Sequence, residues 1–350
     1  MYPSDTNPYA GVFIKNQFEK MTEQYGEENT LNLFYMTYSP TSKVLSYLKY
    51  LLAYVRFIPQ LFKKFDVVHV HYFGFLAPVA LIYRFFHPYS KTFVTFHGSD
   101  INKDMPSEGL KNMLFRRIIK KFNGIIAVGE SLLEPMWNKL EVRPHKILCA
   151  GVDQSVFYKE SFTEKDIDLL VVGSFVPVKG LDVLEDALQN LKQPETKVCI
   201  VGHGPEAATV ERVKELAEVN VVNSVNQKDL RVLYNRSKFL VFPSKGDAFG
   251  LVVTESIYSG TPAIVNADGG AQHQVVNGIN GFVYEEHSGE SLGSLIKNAL
   301  EIGSDKYAQL SERCVNTNFQ YSLESVTHHT MEMYQDAFFN YRTVYKTSLC

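Results

Sequence analysis

One pattern constrains this chain more than any other, and it runs twice. Short runs of β-branched and aromatic residues alternate with helix-length segments, stop at a polar break, and begin again. The first series reads LNLFYM (31–36), VVHVHY (67–72), TFVTFH (92–97), GIIAVG (124–129) and KILCAG (146–151). The second reads DLLVVGS (168–174), KVCIVG (197–202), VNVVNS (219–224), FLVFPS (239–244), PAIVNA (262–267) and GFVY (281–284). Strand-length apolar runs separated by helix-length segments are the mark of a parallel sheet with helices on both faces. The break between the series is GVDQSVFYKESFTEKD (151–166).

The expected fold is therefore α/β, with two Rossmann-like, doubly wound domains facing a cleft. A length of 350 residues suits two domains of ordinary size. The boundaries fall at 1–150 for the first domain, 151–166 for the linker and 167–318 for the second. An amphipathic C-terminal helix within 319–350 is expected to pack back on the first domain. Ligands in open α/β sheets bind outside the carboxyl ends of the strands, so functional residues should follow these runs closely.

The start of the chain breaks the pattern. NPYAGVF (7–13) reads as a strand-to-helix turn, yet no strand precedes it. Either the first domain lacks its first strand or the chain begins downstream of its natural start. The second is expected, because an open sheet without its central strand would expose the edges of its neighbours.

Composition narrows the class. A hydrophobic share of 45 % and a charged share of 21 % are those of a globular chain with sizeable cores. No apolar run approaches the roughly 18–20 residues that span a bilayer, and Met1 leads into a polar stretch rather than a signal peptide. Cys149, Cys199, Cys314 and Cys350 are far apart and unpaired in spacing, which fits free thiols and a cytoplasmic setting. Residues 1–150 carry 18 Lys/Arg against 12 Asp/Glu, a balance of +6, while the rest of the chain stands at −9. The basic half holds YLKYLLAYVRF (47–57), LIYRFFHPYSK (81–91) and LFRRIIKKF (114–122). These segments read either as core helices with solvated basic edges or as a face resting on an anionic membrane surface. Mild overall acidity and the lack of a recognition motif speak against nucleic acid.

The chemistry concentrates in FPSKGDAFGLVVTESIYSGTPAIVNADGG (242–270). A strand ends at Pro243–Ser244, a loop carries Asp247, and Phe249-Gly250-Leu251 leads into a helix with Glu255 in its first turn. A helix N-terminus offers unpaired N–H groups to an anionic phosphate, and Gly250 lets a ligand approach the backbone. Glu255 is placed to accept ribose hydroxyls and Asp247 to hold hydroxyls of a sugar ring. Two acids flanking a glycine also fit a capping arrangement, so the segment alone leaves both readings open.

This segment resembles the E-x7-E signature of glycosyltransferase family 4, with Asp247 and Glu255 in the two acidic places. Further stretches are similar to that family in the same order. SFVPVKGLDVLEDAL (174–188) resembles its strand–loop–helix with a phosphate-binding lysine, here Lys179. VGHGPEAATVERV (201–213) resembles the next strand-to-helix turn, with Gly204. GGAQHQVVNGINGFV (269–283), AGVDQSVF (150–157) and TFHGSD (95–100) resemble three more of its runs. The last carries His97, which the resemblance implies faces the donor sugar. The likeness extends from about residue 7 to 335.

The resemblance implies a GT-B fold and a retaining transfer of sugar from a nucleotide-diphosphate donor to an acceptor hydroxyl. The donor is a co-substrate, and no metal or other cofactor is expected. Lys179 and the N–H groups near Gly250 and Leu251 would stabilise the departing phosphate, and domain closure would bring His97 to the sugar. Gly11, Ser174, Gly204, Val225, Phe249, Gly250, Leu251 and Glu255 are the expected donor contacts; His97, Lys179 and Asp247 are the expected catalytic groups. A lipid-linked or growing surface-polysaccharide glycan is the expected acceptor, at the inner face of the membrane. The sequence departs from the family at Asp247 for Glu, Ser174 for Arg, His273 for Glu and Ala150 for Asn. A sugar-nucleotide epimerase of the same architecture and a catalytically silent nucleotide-sugar-binding protein are the rival readings.

Other signals carry less. Gly202-His203-Gly204-Pro205-Glu206-Ala207 fits a dinucleotide fingerprint, but VNVVNS ends without the acid that binds the adenosine ribose. Asp166-Ile167-Asp168 matches a metal-binding D-x-D but precedes a strand, which reads as a solvated linker end. His69 and His71 share one side of a strand without a further ligand nearby, and read as structural or cleft-edge residues. His328 and His329 belong to the C-terminal helix.

Overall fold

Each of the two series of apolar runs folds into its own parallel sheet. The computed structural model describes residues 11–36, 43–161 and 163–347, with the side chains of 43–47 and 339–347 outside the description. The chain divides into two units: residues 1–151 with 323–350, and residues 152–322.

The first unit opens with α1 (Val12–Tyr25) and α2 (Lys43–Phe57). There follow β1 (Val67–His71), α3 (Ala77–Phe86), β2 (Lys91–Phe96), α4 (Ser99–Asn102), α5 (Leu110–Ile119), β3 (Gly124–Ala127), α6 (Leu133–Leu140) and β4 (Lys146–Ile147). The strands lie in the order β1-β2-β3-β4, all parallel, with Val67 opposite Lys91 and Phe93 opposite Gly124. β2 and β3 are buried along almost their whole length, as apolar strands covered on both faces should be. β1, at the sheet's edge, is half-buried throughout.

The second unit runs β5 (Ile167–Val172), α7 (Leu181–Leu191), β6 (Lys197–Val201), α8 (Ala207–Val213), β7 (Glu218–Val222), α9 (Gln227–Arg236) and β8 (Ser237–Phe242). It continues through α10 (Leu251–Tyr258), β9 (Ala263–Asn266), β10 (Gly281–Tyr284), α11 (Gly289–Leu300) and α12 (Ser304–Val315). Its sheet has the order β10-β9-β8-β5-β6-β7. The chain winds outward from β5 to β7, then returns to β8 on the other side of β5. That reversal makes the β5/β8 boundary the topological switch point, where ligands of such sheets bind. The pleat sends Leu169 and Val171 into one core with Val241 and Ile264, and Leu170 into another with Leu240 and Val265. Leu181, Leu184, Leu188 and Leu191 form the buried stripe of α7.

The last helix, α13 (Leu323–Thr347), belongs to the first unit and packs on α1. The Gln17 amide donates to Thr330 Oγ1 at 3.4 Å, and Tyr25 Oη lies 3.0 Å from His328 Nδ1.

Four expectations need correction or fall outside the description. LNLFYM, expected as a strand, falls in none of the described helices or strands. KILCAG is a strand only at Lys146–Ile147, although the Leu148 N–H still donates to the Ala127 carbonyl at 2.9 Å. The stretch read as a polar linker is packed: Val152 and Phe157 are buried in the core of the second unit. Residues 7–10 of the expected strand-to-helix turn lie outside the described residues, and Gly11 precedes α1 with φ +69°.

Candidate functional site at the β5/β8 switch

Two loops meet at the switch point. The loop after β5 carries Lys179, and the loop after β8 carries Asp247. Gly180 lets them touch: its φ is +71°, and a Cβ there would lie 2.2 Å from the Pro243 carbonyl oxygen. The loops are stitched together by Ser244, whose Oγ donates to the Val178 carbonyl at 2.9 Å, and by the Lys245 N–H, which donates to the same oxygen at 3.0 Å. The Lys179 ammonium pairs directly with the Asp247 carboxylate. It also lies 5.5 Å from the centre of the Phe242 ring.

Asp247 leads into α10. Gly250 sits before that helix with φ +83°, a conformation that strains any residue with a Cβ. Buried Gln274 fixes the turn, its amide donating to the carbonyls of Phe249 and Gly250 while its own oxygen accepts from Thr254. Phe249 is buried and packs edge-on against Tyr321 at 5.0 Å. The first N–H groups of α10, around Leu251, stand outside the helix's own ladder and carry its positive dipole end.

Glu255 is the fifth residue of α10 and so lies in its second turn, not the first. The Tyr234 hydroxyl of α9 donates to Glu255 Oε2 at 2.9 Å. Burial pushes the Glu255 carboxyl up to about 7, the Tyr234 hydrogen bond opposing the shift. The same burial and the neighbouring carboxylate hold the Tyr234 phenol well above its usual range.

The remaining second-unit candidates follow β5, β6 and β7. Ser174 is exposed, and its carbonyl accepts the Val176 N–H at 2.9 Å. Gly204 abuts the loop after β5, since a Cβ there would lie 2.5 Å from the Phe175 carbonyl oxygen. Val225 is partly buried against the apolar core. The D-x-D pair is not merely solvated: Asp166 pairs with Arg236, and Asp168 pairs with Lys238 at 2.8 Å. Among the described residues no group of three or more His, Cys, Asp or Glu side chains is placed to hold a metal ion.

His97 and Gly11 belong to the first unit. Phe13, at the start of α1, lies against the His97 ring at 5.0 Å. His97 Nε2 stands 3.1 Å from His71 Nδ1, and His71 stacks on His69 with ring centres 4.5 Å apart. His69 in turn contacts Thr95 and Tyr334. Burial holds His69 and His97 well below the usual imidazole range and His71 down to about 4, so the three rings are neutral near pH 7. The carboxylate of buried Asp100 accepts the N–H groups of Phe73, His97, Gly98 and Ile101 and so fixes the turn that carries His97.

Lys179, Asp247, Phe249, Gly250, Leu251 and Glu255 thus gather around one switch point, with Ser174, Gly204 and Val225 on its β6–β7 side. The arrangement offers a cation and a helix N-terminus to an anionic group, with one carboxyl on a loop and another on the helix beyond. Tyr234 and Gln274 were not singled out from the sequence. Each lies about twenty residues from its partner, on a different element, and no local spacing marks either.

Comparison with known proteins bears on the fold and the family. The model of the "Glycosyl transferases group 1" family matches residues 153–317, and that of "Glycosyltransferase Family 4" matches residues 21–154. The chain is 27 % identical over 241 residues to N-acetyl-alpha-D-glucosaminyl L-malate synthase of Bacillus anthracis, covering 63 % of this chain and 61 % of that protein. It is 28 % identical over 219 residues to O-antigen chain mannosyltransferase C of Escherichia coli, covering 59 % and 57 %. The chain therefore spans less than two thirds of the length of these curated relatives. Among solved structures, Anabaena HepE in complex with UDP and glucose superposes with a TM-score of 0.72 at 15 % identity, over 95 % of this chain and 98 % of that one.

Two parallel α/β sheets and this superposition define a protein of the GT-B class. Within it, the chain belongs to the group 1 glycosyltransferases of family 4.

Proposed function

We propose that the protein is a retaining glycosyltransferase that moves a sugar from a nucleotide-diphosphate donor to a hydroxyl of a lipid-linked or growing surface-polysaccharide glycan. The observation that carries this reading is the Lys179–Asp247 pair at the switch point, beside the N-terminus of α10. A donor diphosphate would draw Lys179 away from Asp247 and free the carboxylate to accept sugar hydroxyls. As the sugar C1–O bond to phosphate breaks, negative charge grows on the leaving oxygen, where Lys179 and the Gly250–Leu251 N–H groups stabilise it. The acceptor oxygen bonds to C1 on the same face, and its proton passes to the departing phosphate. Glu255 holds the ribose hydroxyls. Charge stabilisation by Lys179 and backbone N–H groups needs no metal.

The acceptor assignment draws support from α2. Leu48, Leu51, Leu52 and Val55 share one helical face and are exposed, as are Phe62 shortly after α2 and Phe85 and Phe86 at the end of α3. Such a face with Arg56, Lys63 and Lys64 close by suits an anionic membrane surface, where a lipid-linked acceptor resides. Among the described residues no helix is long and apolar enough to cross a membrane.

The test is a calorimetric screen against nucleotide sugars, beginning with UDP-sugars because HepE is bound to UDP. A donor at 100 times its Kd should stabilise the protein by about 2.7 kcal/mol. Transfer of labelled sugar from that donor to a glycolipid acceptor, with the anomeric configuration retained, is the expected outcome. Isomerised donor without acceptor would instead make the protein an epimerase, and binding without any turnover would make it a silent binder.

A further inference from the structure

The turn after β1 holds a side chain in a conformation that it resists. Tyr72 has φ +68°, in the left-handed region that a bulky residue rarely enters. The Tyr72 N–H donates to the Thr95 carbonyl at 3.0 Å, and the Tyr72 ring lies against the His97 ring with centres 4.4 Å apart. Phe13 adds a third ring, 5.0 Å from that of His97. Strain of this kind persists only where the surroundings impose it, and it gathers at functional sites. Here it sits at the carboxyl ends of β1 and β2, the end of such a sheet where ligands bind.

The same end of β1 brings His71 to His97, with His71 Nδ1 at 3.1 Å from His97 Nε2. On its other side His71 stacks on His69, centres 4.5 Å apart, and His69 is itself held by Thr95 and Tyr334. The backbone of His97 is fixed as well, because the Asp100 carboxylate accepts the N–H groups of His97 and Gly98. His97 is half-buried, and its Nδ1 has no hydrogen-bond partner among the described residues and is not sealed from solvent. Burial holds both rings below the usual imidazole range, so each carries a single ring proton near pH 7.

One bond between two neutral imidazoles allows two proton arrangements. Either both rings carry the proton on Nε2 and His97 donates to His71, or both carry it on Nδ1 and His71 donates to His97. A neutral histidine favours Nε2, the nitrogen remote from the backbone, and only the first arrangement satisfies both rings. We propose that His71 is a positioning residue, which holds the His97 proton on Nε2 and so keeps His97 Nδ1 a bare acceptor for one carbohydrate hydroxyl. The state of the open nitrogen follows from the bond that the other nitrogen makes. Tyr72 and Phe13 hold the plane of the ring, so that Nδ1 keeps one direction. The inference rests on the transferase reading above, which supplies the hydroxyl, from the donor sugar or from the acceptor glycan.

Ring-nitrogen NMR of the full chain reads the tautomer directly, with the His97 signals assigned by their loss in His97→Gln. The unaltered protein should show the His97 proton on Nε2 alone. His71→Phe keeps a ring against His69 without the acceptor, and His97 should then exchange between both tautomers. His71→Asn puts an amide oxygen where Nδ1 stood, and the single tautomer should return. Turnover of the UDP-sugar selected by the calorimetric screen, on a glycolipid acceptor, should fall about tenfold in His71→Phe, the worth of one hydrogen bond, and recover to within about twofold in His71→Asn. The substrate whose KM rises in His71→Phe, donor or acceptor, is the source of the hydroxyl. A His97 proton on Nδ1, a tautomer untouched by His71→Phe, equal turnover losses in the two variants, or an unchanged KM for both substrates would overturn the proposal. If His71→Phe does not fold, His71→Val, which suits a strand, is read in its place. Absence of transfer by the unaltered protein would refute the transferase reading and leave the tautomer measurements to decide the role of His71.

Discussion

Lys179 and Asp247, 68 positions apart in the chain, form an ion pair across the β5/β8 boundary. The pair holds two opposite charges in reserve at the point where the sheet reverses its winding. A ligand that is anionic at one end and rich in hydroxyls at the other can replace both halves at once.

Lys179→Ala should therefore lower turnover by a factor of about 100 or more, the scale for losing a charge partner of a departing oxyanion. KM should change less than kcat, because the interaction strengthens as the bond breaks. Steady-state kinetics with the donor found in the calorimetric screen checks this, and near-normal turnover would remove Lys179 from the mechanism.

Glu255 should make nucleotide affinity depend on pH. Its carboxyl is raised to about 7, so it is largely protonated below that value and a full acceptor above it. Affinity for the nucleotide is expected to rise as pH passes upward through about 7. The Tyr234 hydrogen bond favours the carboxylate, so Tyr234→Phe should move the rise to higher pH and Glu255→Gln should flatten it. Calorimetric titration of nucleotide between pH 5.5 and 8.5, two limits set by the experiment, reads all three.

The same shift has a stability counterpart. A carboxyl whose folded value is raised contributes stability that is present below about pH 4.5 and is lost as pH rises through about 7. Chemical denaturation of Glu255→Gln should accordingly show less loss between those limits than the unaltered protein.

Gly180→Ala tests the contact of the two loops. The substitution puts a Cβ against a backbone oxygen and into a left-handed conformation, at a cost of about 2 kcal/mol or more. The midpoint of urea denaturation should fall, and kcat should fall with it because Lys179 is the preceding residue. Unchanged stability would mean that the loops separate freely.

Gln274→Leu tests the turn before α10. The carbonyls of Phe249 and Gly250 and the hydroxyl of Thr254 would lose their partner, with an expected destabilisation of about 2–4 kcal/mol. A loss under about 0.5 kcal/mol would show that these groups find other partners.

Much of this was legible from the chain alone, and the exceptions share a cause. The strands of the second unit announce themselves because a strand buried on both faces is a continuous apolar run, as in DLLVV and FLVF. LNLFYM carries the same local signal, yet it falls in no described strand, because a strand needs neighbours that a local pattern cannot supply. The acids of the site were visible because they sit at fixed spacing around Gly250. Their environment was not. Tyr234 reaches Glu255 from another helix, and Lys179 reaches Asp247 from another loop, so neither the raised carboxyl nor the ion pair has a signature in linear order. The placement of Glu255 one turn later than expected follows from α10 starting at Leu251.

The stacked rings of His69, His71 and His97 carry a consequence for acid tolerance. With Thr95, Tyr334 and Phe13 against them and the nearby Asp100 carboxylate committed to backbone N–H groups, the rings have no anion at hand to welcome a proton. An unfolded chain takes up protons at these positions below about pH 6.5, whereas the folded unit resists until much lower. Histidine burial should therefore take stability from the unit that carries His97 as the medium sours, a loss that the raised Asp100 carboxyl opposes.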